Sequence, residues 1–155
     1  MIRRGRWGLA SVLIAALVLA GCGGSSSSGT LSRAQLVSRA NAACSATNAR
    51  IADQAGPSSL KQLAGYASST RAATVQLQHS LSALKAPSSE SAALDRYLAA
   101  LEQGNALLAR ISSAAGAGEG AAVSSLGKEL AKIPTATLAN AAGLSACAKA
   151  STVAG

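Results

Sequence analysis

Apolar residues recur at helical spacing along most of the chain, and no segment shows the strict alternation of a half-buried strand. From about Ser32 to Ala55, a step of about 100° per residue puts Leu36, Ala40, Ala43, Cys44, Thr47 and Ile51 on one face. Arg39, Arg50 and Asp53 fall outside it. Ser32 followed by Gln35 is a capping-box pattern, and Gly56-Pro57 stops the helix. A second stripe opens at Ser59, again with a Gln (Gln62) three residues on, and runs through Leu60, Leu63, Ala64, Ala67, Thr74, Leu77, Leu81 and Leu84 to Lys85-Ala86-Pro87. A third helix is expected from Ser88 or Ser89, with Glu90 suited to the dipole of its first turn. Its apolar face is Leu94, Tyr97, Leu98, Leu101, Leu108 and Ile111, and Gly116-Ala-Gly118-Glu-Gly120 ends it. A shorter fourth helix, about Ala121 to Lys132, carries Val123, Leu126 and Leu130, with Ile133 following, and Pro134 breaks it. A last helical piece, about Thr135 to Ala148, returns Leu138, Leu144 and Cys147 to the core, with Gly143 as a candidate kink.

Four amphipathic helices joined by short connections pack most simply as an all-α, antiparallel up-and-down four-helix bundle, here with a short C-terminal helical segment. In that topology the first and last helices are neighbours, so Cys44 on the first apolar stripe lies where the C-terminal segment must return. Composition tempers the picture. Only 23 of the 134 residues from Cys22 onward are Leu, Ile or Val, and there is no Phe. That is below the usual globular share of large aliphatics. Ala supplies 38 of the 155 residues and has the best helix propensity, which favours thin, closely spaced helices with a small core.

The N-terminus has a different pattern. Arg3, Arg4 and Arg6 precede an uncharged apolar run of 12 residues, Leu9 to Ala20. These are the charged and apolar regions of an export signal, and the run is short of the roughly 20 residues that span a bilayer. It leads into Leu19-Ala20-Gly21-Cys22, which resembles the lipobox of bacterial lipoproteins. The resemblance implies cleavage before Cys22 and a diacylglycerol, with acyl chains such as palmitate, on its thiol. The expected organisation is a lipoprotein signal peptide at 1–21, a Gly/Ser-rich tether at 22–30 and a helical bundle domain at 31–155. The expected location is the extracytoplasmic face of the cell membrane. An ordinary secretory peptide cut nearby, or an uncleaved anchor, is the alternative; the twin arginine lacks the flanking residues of a twin-arginine export signal. Gly23 to Gly29 is seven residues with nothing to bury, and at about 5–6 Å times the square root of length its reach is about 15 Å.

Removing the signal lowers the side-chain balance from +8 to +5, because Arg3, Arg4 and Arg6 leave with it. The remaining cations are scattered singly, without the stripe or aromatic partners of a nucleic-acid surface. No nucleic-acid partner is expected. A solvated surface, or a weak attraction to anionic lipids or cell-wall polymers, accounts for them. With Cys22 taken by lipid, Cys44 and Cys147 remain as an even pair in an oxidising setting, and a disulfide between them is expected. Two buried free thiols are the alternative.

The segments Ala40-Asn41-Ala42-Ala43-Cys44, with Asn48 following, and Gly143-Leu144-Ser145-Ala146-Cys147 resemble those of small lipoproteins from high-GC Gram-positive bacteria. These commonly carry one Cys in the first mature helix and another near the end. The resemblance implies a lipid-anchored helical domain and carries over no catalytic residue.

Candidate chemistry is sparse. The single histidine, His79, lies about 150° from the centre of the second stripe, on the solvent side, where it lacks neighbours to tune it. One His and one Met exclude multi-histidine metal sites and Met/His haem ligation, and no metal or cofactor is expected. Asp95 and Glu102 lie two turns apart on the third helix, too far to share an ion. Tyr66 and Tyr97 are either pocket-lining or core residues with the hydroxyl at the rim. There is no Gly-x-Ser-x-Gly elbow, Walker loop or CxxCH. The expectation is a non-catalytic envelope lipoprotein binding a partner protein, an envelope polymer or a small apolar ligand. An exported enzyme using His79, or an inert spacer, is the alternative.

Overall fold

A computed structural model describes residues 29–149, and all regular structure among them is α-helix. The export signal, Cys22 and most of the tether lie outside the described residues. The helices are α1 (Arg33–Ala52), α2 (Leu60–Ser82), α3 (Ser88–Gly116), α4 (Gly120–Ala131), α5 (Thr135–Ala141) and α6 (Ser145–Lys149).

The helix starts follow local chemistry. Gln35 N–H donates to Ser32 Oγ at 3.3 Å and Ser32 N–H to Gln35 Oε1 at 3.0 Å, completing the capping box of α1. At α2 the Gln62 N–H reaches Ser59 Oγ at 3.2 Å, but the Gln62 side chain turns past Ser59 and accepts from Ser58 instead. Pro87 stands at the N-cap of α3, which has no side-chain cap bond; Glu90 in the first turn pairs with Arg33 at 3.4 Å. Two helix ends need a left-handed residue, and each has glycine there: Gly118 (φ 78°) and Gly143 (φ 73°). At the first, Glu119 N–H reaches Ala114 O (2.8 Å) and Gly118 N–H reaches Ala115 O (3.1 Å). At the second, Leu144 N–H reaches Ala139 O (2.8 Å) and Gly143 N–H reaches Asn140 O (2.9 Å). Both are Schellman terminations, which use carbonyls the helix leaves unpaired. Gly143 therefore does more than kink the C-terminal piece. The continuous helix expected over 135–148 is two helices, α5 and α6, because the left-handed glycine ends the first.

The main packings are α1 on α2, α2 on α3, α3 on both α4 and α5, and α6 on α1 and α5. The 29-residue α3 is thus the central element, packed by α2, α4 and α5, with Pro134 between the last two. The core has two parts. One gathers Leu36, Ala40, Cys44, Leu77, Leu81, Leu94, Tyr97, Leu101, Ala139, Leu144 and Cys147 from α1, α2, α3 and the C-terminal segment. The smaller has Ala67, Ile111, Ala114 and Leu126, with Leu63, Leu107, Leu108, Val123 and Leu130 half-buried around it. Alanine recurs at the contacts, with Ala40, Ala67, Ala73, Ala100, Ala115 and Ala139 all buried. A methyl group at a helix contact lets two helices approach closely, so a chain poor in large side chains still excludes water between them. Among the described residues no helix is long and apolar enough to cross a membrane.

Candidate functional site

Cys44 and Cys147 are disulfide-bonded, with a Cα–Cα distance of 5.0 Å and a sequence separation of 103. Both are buried. Two asparagines on α1, one turn before and one turn after Cys44, hold the residue preceding Cys147. Asn41 Oδ1 accepts from the Ala146 N–H at 2.9 Å, and Asn48 Nδ2 donates to the Ala146 carbonyl at 2.9 Å. In a helix the N–H points toward the N-terminus and the C=O toward the C-terminus. With the N–H held nearer Asn41 and the C=O nearer Asn48, α6 runs in the same direction as α1. A helix of five residues cannot hold itself by propagation alone. The asparagine pair and the disulfide fix it by side chains from α1. Asn41 and Asn48 stand in the sequence segments noted around Cys44, but nothing in the sequence identified their acceptor and donor.

A second polar group escaped sequence reasoning altogether. Asn105 is buried in the middle of α3; its Nδ2 donates to Gln78 Oε1 at 3.1 Å, and its Oδ1 meets the Thr74 hydroxyl. Thr74 was placed on the apolar stripe of α2, and its hydroxyl bonds across that interface. Asn105 sits among Leu101, Leu108 and Ile111 in sequence, so its burial was the only signal, and burial follows from where α2 packs. These bonds tie the buried Asn105 to two half-buried residues of α2 and so fix the alignment of α2 on α3.

His79 is exposed in the last turn of α2, consistent with the solvent side expected for it. Asp95 and Glu102 are exposed on α3. Among the described residues no three His, Cys, Asp or Glu side chains come together as a metal site. Tyr97 is 3% exposed in the main core, and burial pushes its phenol up from 10.0 to about 12. It stays protonated at any physiological pH and contributes packing. Tyr66 is different. It is half-buried and lines an open depression of about 560 Å³ with Gln54, Ala55, Gly56, Ser58, Gln62 and Ser69. This is where the α1–α2 connection folds over the first turns of α2. Gln62 Oε1 accepts from Ser58 N–H at 2.8 Å and from Ser58 Oγ at 2.7 Å, which ties the connection to the helix.

Comparison with protein-family models, curated proteins and solved structures finds no match to the chain.

Proposed function

We propose that the protein is a lipid-anchored, extracytoplasmic envelope lipoprotein whose helical domain binds and does not catalyse. The observation that carries the reading is the N-terminal sequence: three arginines, a 12-residue apolar run and Leu19-Ala20-Gly21-Cys22 in direct succession. An acyl anchor with more than one chain holds a protein durably at a membrane, at about 0.8 kcal/mol per buried methylene. A buried Cys44–Cys147 bond suits an oxidising compartment, which is where such a signal delivers its cargo. The long helices are read as an antiparallel up-and-down bundle whose fourth leg is broken at Pro134, with α6 folded back on α1. The exposure of His79 in the last turn of α2 supports binding over acid–base chemistry. What is bound is a partner protein, an envelope polymer or a small apolar ligand.

Cys22→Ser tests the reading. The wild-type chain partitions with membranes and gains the mass of its lipid; the variant is released or remains unprocessed. Unchanged mass and unchanged partitioning would overturn it. The competing reading, an exported enzyme that uses His79, is tested by His79→Ala. Any activity found in the purified protein survives that change on the reading proposed here, and its loss without loss of helicity would favour the enzyme.

A further inference from the structure

The depression at the α1–α2 connection has a definite chemical character. Its polar side chains are the amides of Gln54 and Gln62 and the hydroxyls of Ser58, Ser69 and Tyr66, and none of its lining residues is charged. A volume of about 560 Å³ is within the range of small-ligand sites. An apolar ligand would find only one aromatic ring and no Leu, Ile or Val in the wall. An ionic ligand would find no counter-charge there. Neutral polyhydroxylated molecules match: their hydroxyls both donate and accept, as amides and hydroxyls do, and the C–H face of a sugar ring packs on an aromatic face.

The wall is also held in advance. Ser58 makes two hydrogen bonds to Gln62 Oε1, so that amide is oriented before any ligand arrives and its Nε2 remains for a new acceptor. A Cβ added to Gly56 would meet nothing within 4 Å, so the rim is open on that side. The position of the depression points the same way. The chain enters the bundle at Leu31, whose N–H donates to the Lys85 carbonyl at 2.8 Å, beside the α2–α3 connection. The depression lies at the other end of α1, 20 residues or about 30 Å along the helix axis. With a tether of about 15 Å joined to the opposite end of α1, the depression can stand clear of a lipid surface.

We propose that this depression is a binding site for neutral glycan, with Tyr66 stacking on a sugar ring and the Gln54 and Gln62 amides bonding its hydroxyls. The proposal rests on the envelope-binding reading above and selects the polymer among its candidates. A shallow, open site of this kind binds weakly, so the assay must detect millimolar affinity.

Saturation-transfer NMR on the full-length protein, purified from membranes in a detergent without sugar groups, meets that need with maltotetraose, cellotetraose and chitotetraose as probes. Irradiating the protein is expected to transfer magnetisation to the ring protons of at least one tetrasaccharide. Tyr66→Ala should weaken binding by about two- to tenfold, as loss of a stacking aromatic does, while Tyr66→Phe keeps most of it. Gln54→Ala should weaken it also, and that variant carries the test if Tyr66→Ala loses helicity. No transfer to any of the three probes, or equal transfer in wild type and in Tyr66→Ala and Gln54→Ala, overturns the proposal. The assay is independent of the anchor. A Cys22→Ser protein that still partitions with membranes would remove the lipoprotein reading and leave a positive glycan result standing, and the reverse holds as well.

Discussion

Replacing both cysteines, Cys44→Ala with Cys147→Ala, measures how much of this small core depends on its cross-link. The bond closes a loop of 103 residues. In the chain-entropy model a loop near that length restricts the unfolded chain by about 4.7 kcal/mol at room temperature. A domain of this size has about 5–15 kcal/mol in all, so the loss would be a large share of it. Unfolding entropy is about 2.1 cal/mol/K per residue, or about 0.25 kcal/mol/K for the described residues, which converts the loss into a fall in Tm of about 19 °C. The native state contributes little to offset this: both sulfurs are buried, so their removal also loses packing. Circular dichroism of the oxidised protein and of the double variant, melted under the same conditions, gives the comparison. Thiol titration of the unfolded, unreduced wild type should find neither Cys44 nor Cys147 reactive. A Tm change of only a few degrees would refute the reasoning, because it would show that the unfolded chain already keeps the two positions close or that α6 is not docked in the native state.

Other substitutions address the remaining contacts. Leu81→Ala opens a cavity at a wholly buried position in the core shared by α1, α2, α3 and the C-terminal segment, and it should cost about 2–5 kcal/mol in urea unfolding. Asn105→Ala removes the donor to Gln78 Oε1 and leaves the Thr74 hydroxyl to the Thr70 and Arg71 carbonyls, and it should cost about 1 kcal/mol, whereas Asn105→Leu, which fits the apolar surroundings, should cost less; the order of the two variants in denaturant midpoint is the check. Asn41→Ala removes the acceptor of the Ala146 N–H, so amide exchange at Ala146 should accelerate even with the disulfide intact. Tyr97 has a folded-state pKa raised from 10.0 to about 12, so its contribution is fully present below pH 10 and is lost as pH rises toward 12, by about 2–3 kcal/mol at most. The difference in stability between wild type and Tyr97→Phe across that window isolates the phenol, and a constant difference would disprove the burial argument.

The helices themselves were legible in the residues because their causes are local. Ser32 with Gln35, Pro57, Pro134 and the Gly116–Gly120 run act over a few positions, and the bounds of α1 to α4 fall within about three residues of where those signals put them, while the end of α5 at Ala141 was not foreseen. Apolar spacing likewise named Leu36, Cys44, Leu77, Leu81, Leu94, Tyr97, Leu126 and Leu144, all of which are buried. The bond between Cys44 and Cys147 was expected by setting Cys22 aside as a lipid site, and the structure contains it. Alanine was the difficulty. It is equally at home in the core and on the surface, so periodicity did not separate buried Ala73, Ala100, Ala114 and Ala139 from exposed Ala72, Ala99 and Ala141.

What the tertiary structure alone decided depends on contacts between residues far apart in the chain. Gly143 could bend a helix or end it, and packing against α1 and α5 chose the ending. Asn105 would be an ordinary surface amide on another face of α3; the approach of Thr74 and Gln78 makes it an interior one. Asn41 and Asn48 have partners 105 and 98 residues away. Tyr66 belongs to a depression only because the α1–α2 connection folds over the start of α2. Local sequence sets backbone conformation through sterics and short hydrogen bonds, and those act within a turn or two. Which polar groups meet depends on how whole helices settle against one another, which is a property of the summed packing and of no single segment.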